Sequence, residues 1–187
     1  MTIETNELNK NAMGGTELMQ HKLASVIDPA LLNEFQIIPS RVRELDESKV
    51  RILWCHDLPG DPESENAFRK VGHEKFHKIV FVSNWQMQAY IQVYDIPWSK
   101  CIVMQNAIEP IKFDPKTQDQ VNIIYHTTPH RGLNLLVPVF RKLTETHKNI
   151  HLDVYSSFKV YGWEERDAQY QPLYDEIAAI PQATYHG

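Results

Sequence analysis

The sequence has no apolar run long enough to cross a bilayer. Its longest apolar runs are Ile79–Val82 and Leu135–Phe140, the latter broken by Pro138, against the roughly 20 residues a spanning helix requires. It has no dense block of positive charge. Lys10, Lys22, Arg41, Arg43 and Lys49 are dispersed among acids, and the net charge is −5, which argues against a nucleic-acid partner. Only two cysteines are present, Cys55 and Cys101, each at or beside an apolar run. That pattern excludes a disulfide scaffold and reads as buried thiols in a reducing cytoplasm. The opening residues MTIETNELNKNAMGG are polar and do not read as a signal peptide. There is no internal repeat and no low-complexity tract. With 42% apolar and 23% charged residues among 187, the balance is that of a globular protein with one substantial core or two small lobes. It predicts a cytoplasmic protein without a transmembrane segment, free or peripheral at a membrane surface.

Strand-like and helix-like segments alternate along the chain. Gly14-Gly15-Thr16-Glu17 opens a helix with apolar Leu18, Met19, Leu23, Ala24, Val26 and Ile27, ended by Asp28-Pro29. Before it, Thr2-Ile3-Glu4-Thr5 is a poor strand candidate. Strands are expected at Phe35–Ile38, Val50–Cys55 and Lys78–Val82. A helix is expected at Pro62–Val71, stopped by Gly72, and a second at Asn84–Val93, capped by Ser83. A strand at Cys101–Met104 leads into the loop Gln105-Asn106-Ala107. Residues 109–120, rich in Pro, Lys, Asp and Gln, read as a linker. Beyond it come a strand at Val121–Tyr125, a helix at Gly132–His147 that tolerates Pro138, and a strand at Ile150–Tyr155. Glu164–Ile180 reads as partly helical, interrupted by Pro172, and Ala183–His186 as a last strand. Alternation of this kind predicts an α/β fold of parallel sheets with crossover helices, in two Rossmann-like lobes at 1–112 and 113–187. The second lobe has three strands at most where a doubly wound lobe has five or six, so it is expected to be incomplete. An unfinished sheet exposes an edge and apolar faces, which favours self-association.

Four segments could carry chemistry. His73-Glu74-Lys75-Phe76-His77 fits H-E-x-x-H, in which two histidines one helical turn apart bind zinc and the glutamate activates water. The fit needs a helix, yet Gly72 precedes the motif and a strand follows it directly, so a zinc hydrolase is the lesser alternative and no metal site is expected. Gly14-Gly15-Thr16 places a flexible turn at a helix N-terminus, whose N–H groups and dipole suit phosphate or sugar hydroxyls. Trp54-Cys55-His56-Asp57 lies at the carboxyl end of a buried strand, where open α/β sheets bind ligands. A histidine there can bond a sugar hydroxyl or be satisfied in the turn by Asp57. His130-Arg131-Gly132 again joins strand, loop and helix, and sets an arginine at a helix mouth, an arrangement suited to a diphosphate.

Taken in order, these phrases resemble those of the GT-B glycosyltransferases of group 1, family four. The glycine pair comes first, then His56 after a strand, then Val82-Ser83-Asn84 before a helix. Gln105-Asn106-Ala107-Ile108 stands before the linker, and Arg131-Gly132 opens a helix after it. The resemblance implies two Rossmann lobes facing across a cleft and retaining, metal-independent hexosyl transfer without a cofactor. The donor would be a UDP- or GDP-sugar, and the acceptor a glycan, a lipid or another molecule. By the same resemblance His56 sits at the reacting sugar as the catalytic residue. Gly14, Gly15, Thr16, Arg131 and Gly132 bind donor phosphate or sugar, and Asp57, Ser83, Asn106 and His130 line the cleft. The sequence departs from the family in three places. Ala107 replaces the last glycine of Pro-Asn-Gly, Thr127, Thr128 and His130 replace a second basic residue, and the paired glutamates late in the donor lobe have no match. The resemblance therefore implies weak donor binding by these 187 residues alone, and a non-catalytic carbohydrate- or partner-binding module is the main alternative.

Overall fold

The computed structural model describes residues 14–113, 115 and 119–187. The weak strand candidate at Thr2–Thr5 and the part of the linker at 114 and 116–118 lie outside the described residues. The chain divides into two compact units, residues 1–110 and 111–187, and the division falls within the segment read as a linker.

In the first unit α1 (Gly15–Val26) is followed by a one-turn α2 (Pro29–Leu32), where the sequence pattern predicts only an end at Asp28-Pro29. Capping explains the difference. The Asp28 carboxylate accepts the Ala30 N–H, and Pro29 occupies the first turn, where its missing N–H costs nothing. Strands β1 (Phe35–Pro39), β2 (Val50–Cys55), β3 (Lys78–Phe81) and β4 (Cys101–Val103) form one parallel sheet in that order. The helix between β2 and β3 starts as α3 (Pro62–Glu65) and widens into a π-helix, Asn66–Gly72. Gly72 ends it with φ +95°, a conformation that favours glycine because side chains rarely adopt it. α4 (Asn84–Tyr94) carries the chain from β3 toward β4 and is capped by Ser83, whose Oγ accepts the Gln86 N–H.

Alternation along the strands sorts the two faces of this sheet. Ile38, Leu53, Cys55, Ile79 and Phe81 point into a core completed by Phe68 from the π-helix, Met87 and Tyr90 from α4, and Ile96. Cys55 is buried there, whereas Cys101, on the edge strand, is only half-buried. The β1–β2 connection has no helix, and buried Gln36 organises it instead. Its amide donates to the Glu44 carbonyl at 2.9 Å and accepts the Asp46 N–H at 2.9 Å. The opposite face includes Trp54 and Val80.

In the second unit β5 (Val121–Tyr125), β6 (Ile150–Val154) and β7 (Ala183–Tyr185) form a three-stranded parallel sheet in sequence order. Helices α5 (Leu133–Thr146) and α6 (Gln171–Ala178) bury Leu133, Val137, Phe140, Tyr174 and Ile177 against Leu152 and Val154. Pro138 stands inside α5 without ending it. Pro172 does not interrupt a helix, as its position suggests from sequence. It lies in the first turn of α6, where proline is tolerated, and the residues before it, Glu164–Tyr170, are a 3₁₀ helix.

Both units are therefore α/β with parallel sheets. In each sheet the described strands advance in one direction, without the reversal of order that creates a ligand crevice in doubly wound sheets. Any site must come from the carboxyl ends of individual strands and the helices beside them.

Candidate functional site

At the carboxyl end of β2 the chain is held from several sides. The Ser40 N–H donates to the Trp54 carbonyl at 2.9 Å, and Ser40 Oγ accepts the His56 N–H at 3.1 Å. Ser40 adopts the left-handed conformation, φ 59°, to make this turn. The Asp57 carbonyl accepts both Gln86 Nε2, at 2.8 Å, and the Tyr90 hydroxyl, at 2.9 Å. Gln86 Oε1 in turn accepts the Val82 N–H at 2.8 Å, and Ser64 Oγ lies 2.6 Å from the Tyr90 oxygen. Gln86 and Tyr90 are buried, so α4 fixes the loop after β2 through satisfied hydrogen bonds. Sequence reading missed both residues; a glutamine and a tyrosine one helical turn apart, directly behind the Ser83 cap, were the available signal.

His56 lies beyond this brace on the face that carries Trp54, with ring centroids 4.6 Å apart. Neither imidazole nitrogen is exposed, and neither has a hydrogen-bond partner among the described residues. The alternative in which Asp57 satisfies the ring is thus not what the structure holds: Asp57 contributes its carbonyl, and to α4. Trp54 Nε1 is buried and unpaired in the same way.

In the same unit α1 departs from its sequence pattern. Leu18 and Val26, read as part of an apolar face, are exposed, while Glu17 and Gln20 are buried at 8% and 4% exposure. Three positions apart, these two share one helical face. Gln20 Nε2 is also unpaired among the described residues. Sequence reading included Glu17 only as part of the helix start and passed over Gln20. The inverted polarity of α1 becomes visible only once the fold shows which face is buried. Gly14 is the N-cap of α1 without a side-chain cap, and the space where a Cβ on Gly15 would stand is open.

Burial pushes the His56 imidazole below its ordinary pKa of 6.5, against the opposing influence of the Asp57 carboxylate, then of the Trp54 backbone, which lies near the ring without meeting hydrogen-bond geometry, and then of the Glu17 carboxylate. The ring is therefore neutral at pH 7, with one nitrogen a donor and the other an acceptor. Below pH 6.5 the unfolded chain takes up a proton at this position that the native ring resists, so the contribution of His56 to stability is fully present above 6.5 and declines as the pH falls toward the lower native value. Urea midpoints measured at pH 7.5 and pH 5.5 should fall more steeply with acid in the parent than in His56→Leu. An identical loss in both proteins would contradict the assignment.

The other residues singled out from sequence are distributed as follows. Ser83 caps α4, and Asn106 is exposed in the irregular segment after β4. In the second unit Gly132, with φ +96° and ψ 14°, is the N-cap of α5, and Arg131 before it is exposed, its N–H donating to the Thr128 carbonyl at 3.1 Å. His130 stacks on Phe158, centroids 5.4 Å apart and planes 12° from parallel. The loop below is tied by the Tyr125 hydroxyl to the Thr128 carbonyl and by Ser156 Oγ to the Thr127 carbonyl. Arg131 thus sets an exposed cation between a braced loop and a helix N-terminus.

The H-E-x-x-H motif does not form a helix. His73–Lys75 is a single 3₁₀ turn, and His77 precedes β3, where its Nδ1 accepts the Arg51 N–H at 3.0 Å. The two imidazoles do not share a helical face, and among the described residues no group of three or more His, Cys, Asp or Glu is placed to hold a metal ion.

No protein-family model matches the sequence, and no curated protein is significantly similar to it. What the fold defines is a class, an α/β protein of parallel sheets, in whose described residues no helix is long and apolar enough to cross a membrane.

Proposed function

We propose that this chain is part of a glycosyltransferase that moves a hexosyl group from a UDP- or GDP-sugar to a glycan, lipid or other acceptor, with retention and without a metal. The observation that carries the reading is the half-buried His56 at the carboxyl end of a parallel strand, whose ring nitrogens are both sealed from solvent and unpaired among the described residues, and whose pKa burial pushes down. Sealed ring nitrogens without a partner among the described residues cost folding about 1–3 kcal/mol, of the kind that recurs where a ligand supplies the missing bonds. In this reading His56 bonds the reacting sugar, and Arg131 with the N-terminus of α5 neutralises the diphosphate as it leaves. The two units would be the acceptor and donor lobes of a GT-B enzyme.

The donor half of the reading is tested by titrating UDP and GDP into the full-length gene product. Arg131→Ala should weaken binding of the preferred nucleotide by about 10- to 100-fold, the worth of a charge-assisted hydrogen bond, while His56→Leu leaves it unchanged. Equal affinities for the parent and Arg131→Ala would overturn the role given to the arginine. A non-catalytic carbohydrate-binding module would use the same unpaired donors around His56 but would release no nucleoside diphosphate.

A further inference from the structure

In the second unit one carboxylate gathers donors from three residues. Asp167 Oδ2 accepts the Ser157 hydroxyl at 2.6 Å, the Phe158 N–H reaches both carboxylate oxygens at 3.1 Å, and Oδ1 accepts the Tyr174 hydroxyl at 2.8 Å. Tyr174 belongs to α6, is 3% exposed, and stacks on Tyr185 of β7 with centroids 4.3 Å apart. Asp167 thus fastens the segment after β6, Ser157-Phe158, to the core.

That segment in turn holds the loop before α5 at two points. Ser156 Oγ donates to the Thr127 carbonyl at 2.7 Å, and the buried Phe158 ring carries the exposed His130 stacked against it. Arg131 follows directly, and its N–H closes the same loop on the Thr128 carbonyl. Contacts therefore run without a break from α6 through Asp167, Phe158 and His130 to the residue beside Arg131. A carboxylate suits the centre of such a network because it accepts only, with two oxygens and about four lone-pair sites. Removing it leaves the Phe158 N–H and the Tyr174 hydroxyl without their acceptor, and both residues are buried. An exposed arginine on an untied loop samples many conformations, and each one frozen on binding costs affinity; a loop fixed beforehand avoids that cost.

We propose that Asp167 is a positioning residue for Arg131. By fixing Phe158, and with it His130, it holds the loop before α5 in the conformation that presents the arginine to an anion. That the anion is a nucleoside diphosphate rests on the transferase reading. Asp167 itself touches no ligand.

Two measurements on the full-length gene product test this. The first follows the His130 ring, whose C–H signals are displaced from those of a free imidazole by the Phe158 ring. ¹H–¹³C spectra define the displacement, with His130→Asn to assign it and Phe158→Leu to show its complete loss. Asp167→Ala should abolish most of it, and Asp167→Asn, which keeps one acceptor oxygen, should retain part. The second is a double-mutant cycle on UDP and GDP affinity. Asp167→Ala should weaken the preferred nucleotide about tenfold, within the range of coupling inside one contact network. Added to Arg131→Ala it should weaken binding no further. Tyr174→Phe, which cuts the tie between α6 and Asp167 at similar bulk, should act in the same direction on both measurements and serves if Asp167→Ala fails to fold. A His130 signal unmoved by Asp167→Ala, or equal weakening of nucleotide binding with and without the arginine, overturns the proposal. Failure of the parent to bind either nucleotide sinks the transferase reading and leaves the His130 signal to decide the positioning role.

Discussion

His56→Leu should make the protein more stable and nearly inactive at the same time. Both imidazole nitrogens are sealed and unpaired among the described residues, so an apolar side chain of similar bulk removes a desolvation cost of about 1–3 kcal/mol. The surrounding brace does not depend on the ring. Ser40 binds the His56 backbone N–H, and Gln86 and Tyr90 bind the Asp57 carbonyl. The loop should therefore keep its shape, and the denaturant midpoint at pH 7.5 should rise. Transfer should drop by at least about 100-fold, the lower end of what a positioned histidine contributes to proton transfer and hydrogen bonding in a transition state. Gain of stability with loss of turnover is the expected signature of a residue retained for function. A structural histidine would give the opposite result, a lower midpoint with activity intact.

The largest effect on stability is expected in the second unit, from Phe140→Ala. Phe140 has no exposed surface and lies between α5 and the sheet, in a core that includes Val137, Leu152 and Ile177. Its removal should cost about 3–5 kcal/mol, because the transfer energy of the ring is lost and the neighbouring side chains close the cavity only in part. Three strands and two helices supply that core, so the loss is a large share of the stability available to a unit of this size. Chemical denaturation with probes placed in residues 121–187 would measure it. A midpoint within experimental error of the parent would mean that Phe140 is not the packing centre described here.

How much is legible in the sequence depends on the physics behind each segment. The apolar runs of β2 and β3 announce themselves because strands buried in parallel sheets are nearly continuously apolar, whereas β6 is legible from its alternation, Ile150, Leu152 and Val154 buried with His151 and Asp153 between them. Ser83 is readable as a cap because its chemistry is local. Pro172 misleads because the same residue breaks a helix interior and starts a helix, and only the position of the first turn decides between them. The apolar residues of α1 mislead for a different reason. Helical periodicity locates a stripe but not its neighbour, and here Glu17 and Gln20 are buried while Leu18 and Val26 are not. Local pattern and tertiary placement conflict at that helix, and such conflicts concentrate where function outweighs stability. His56 can be selected from its place after a buried strand. That its ring lacks a partner cannot be read in the same way, because the groups that hold the loop come from distant positions. Ser40 stands 16 residues before His56, and Gln86 and Tyr90 stand 29 and 33 residues after Asp57. Only the folded chain shows that all three bind backbone and leave the imidazole alone.

A role for His56 in sugar transfer has a direct test. The most direct measurement is the release of nucleoside diphosphate from a panel of UDP- and GDP-hexoses by the full-length gene product, compared with the same product carrying His56→Leu. Release from at least one donor is expected, reduced by about 100-fold or more in a variant that remains folded. Release that is unchanged by His56→Leu, or absent with every donor, would contradict it.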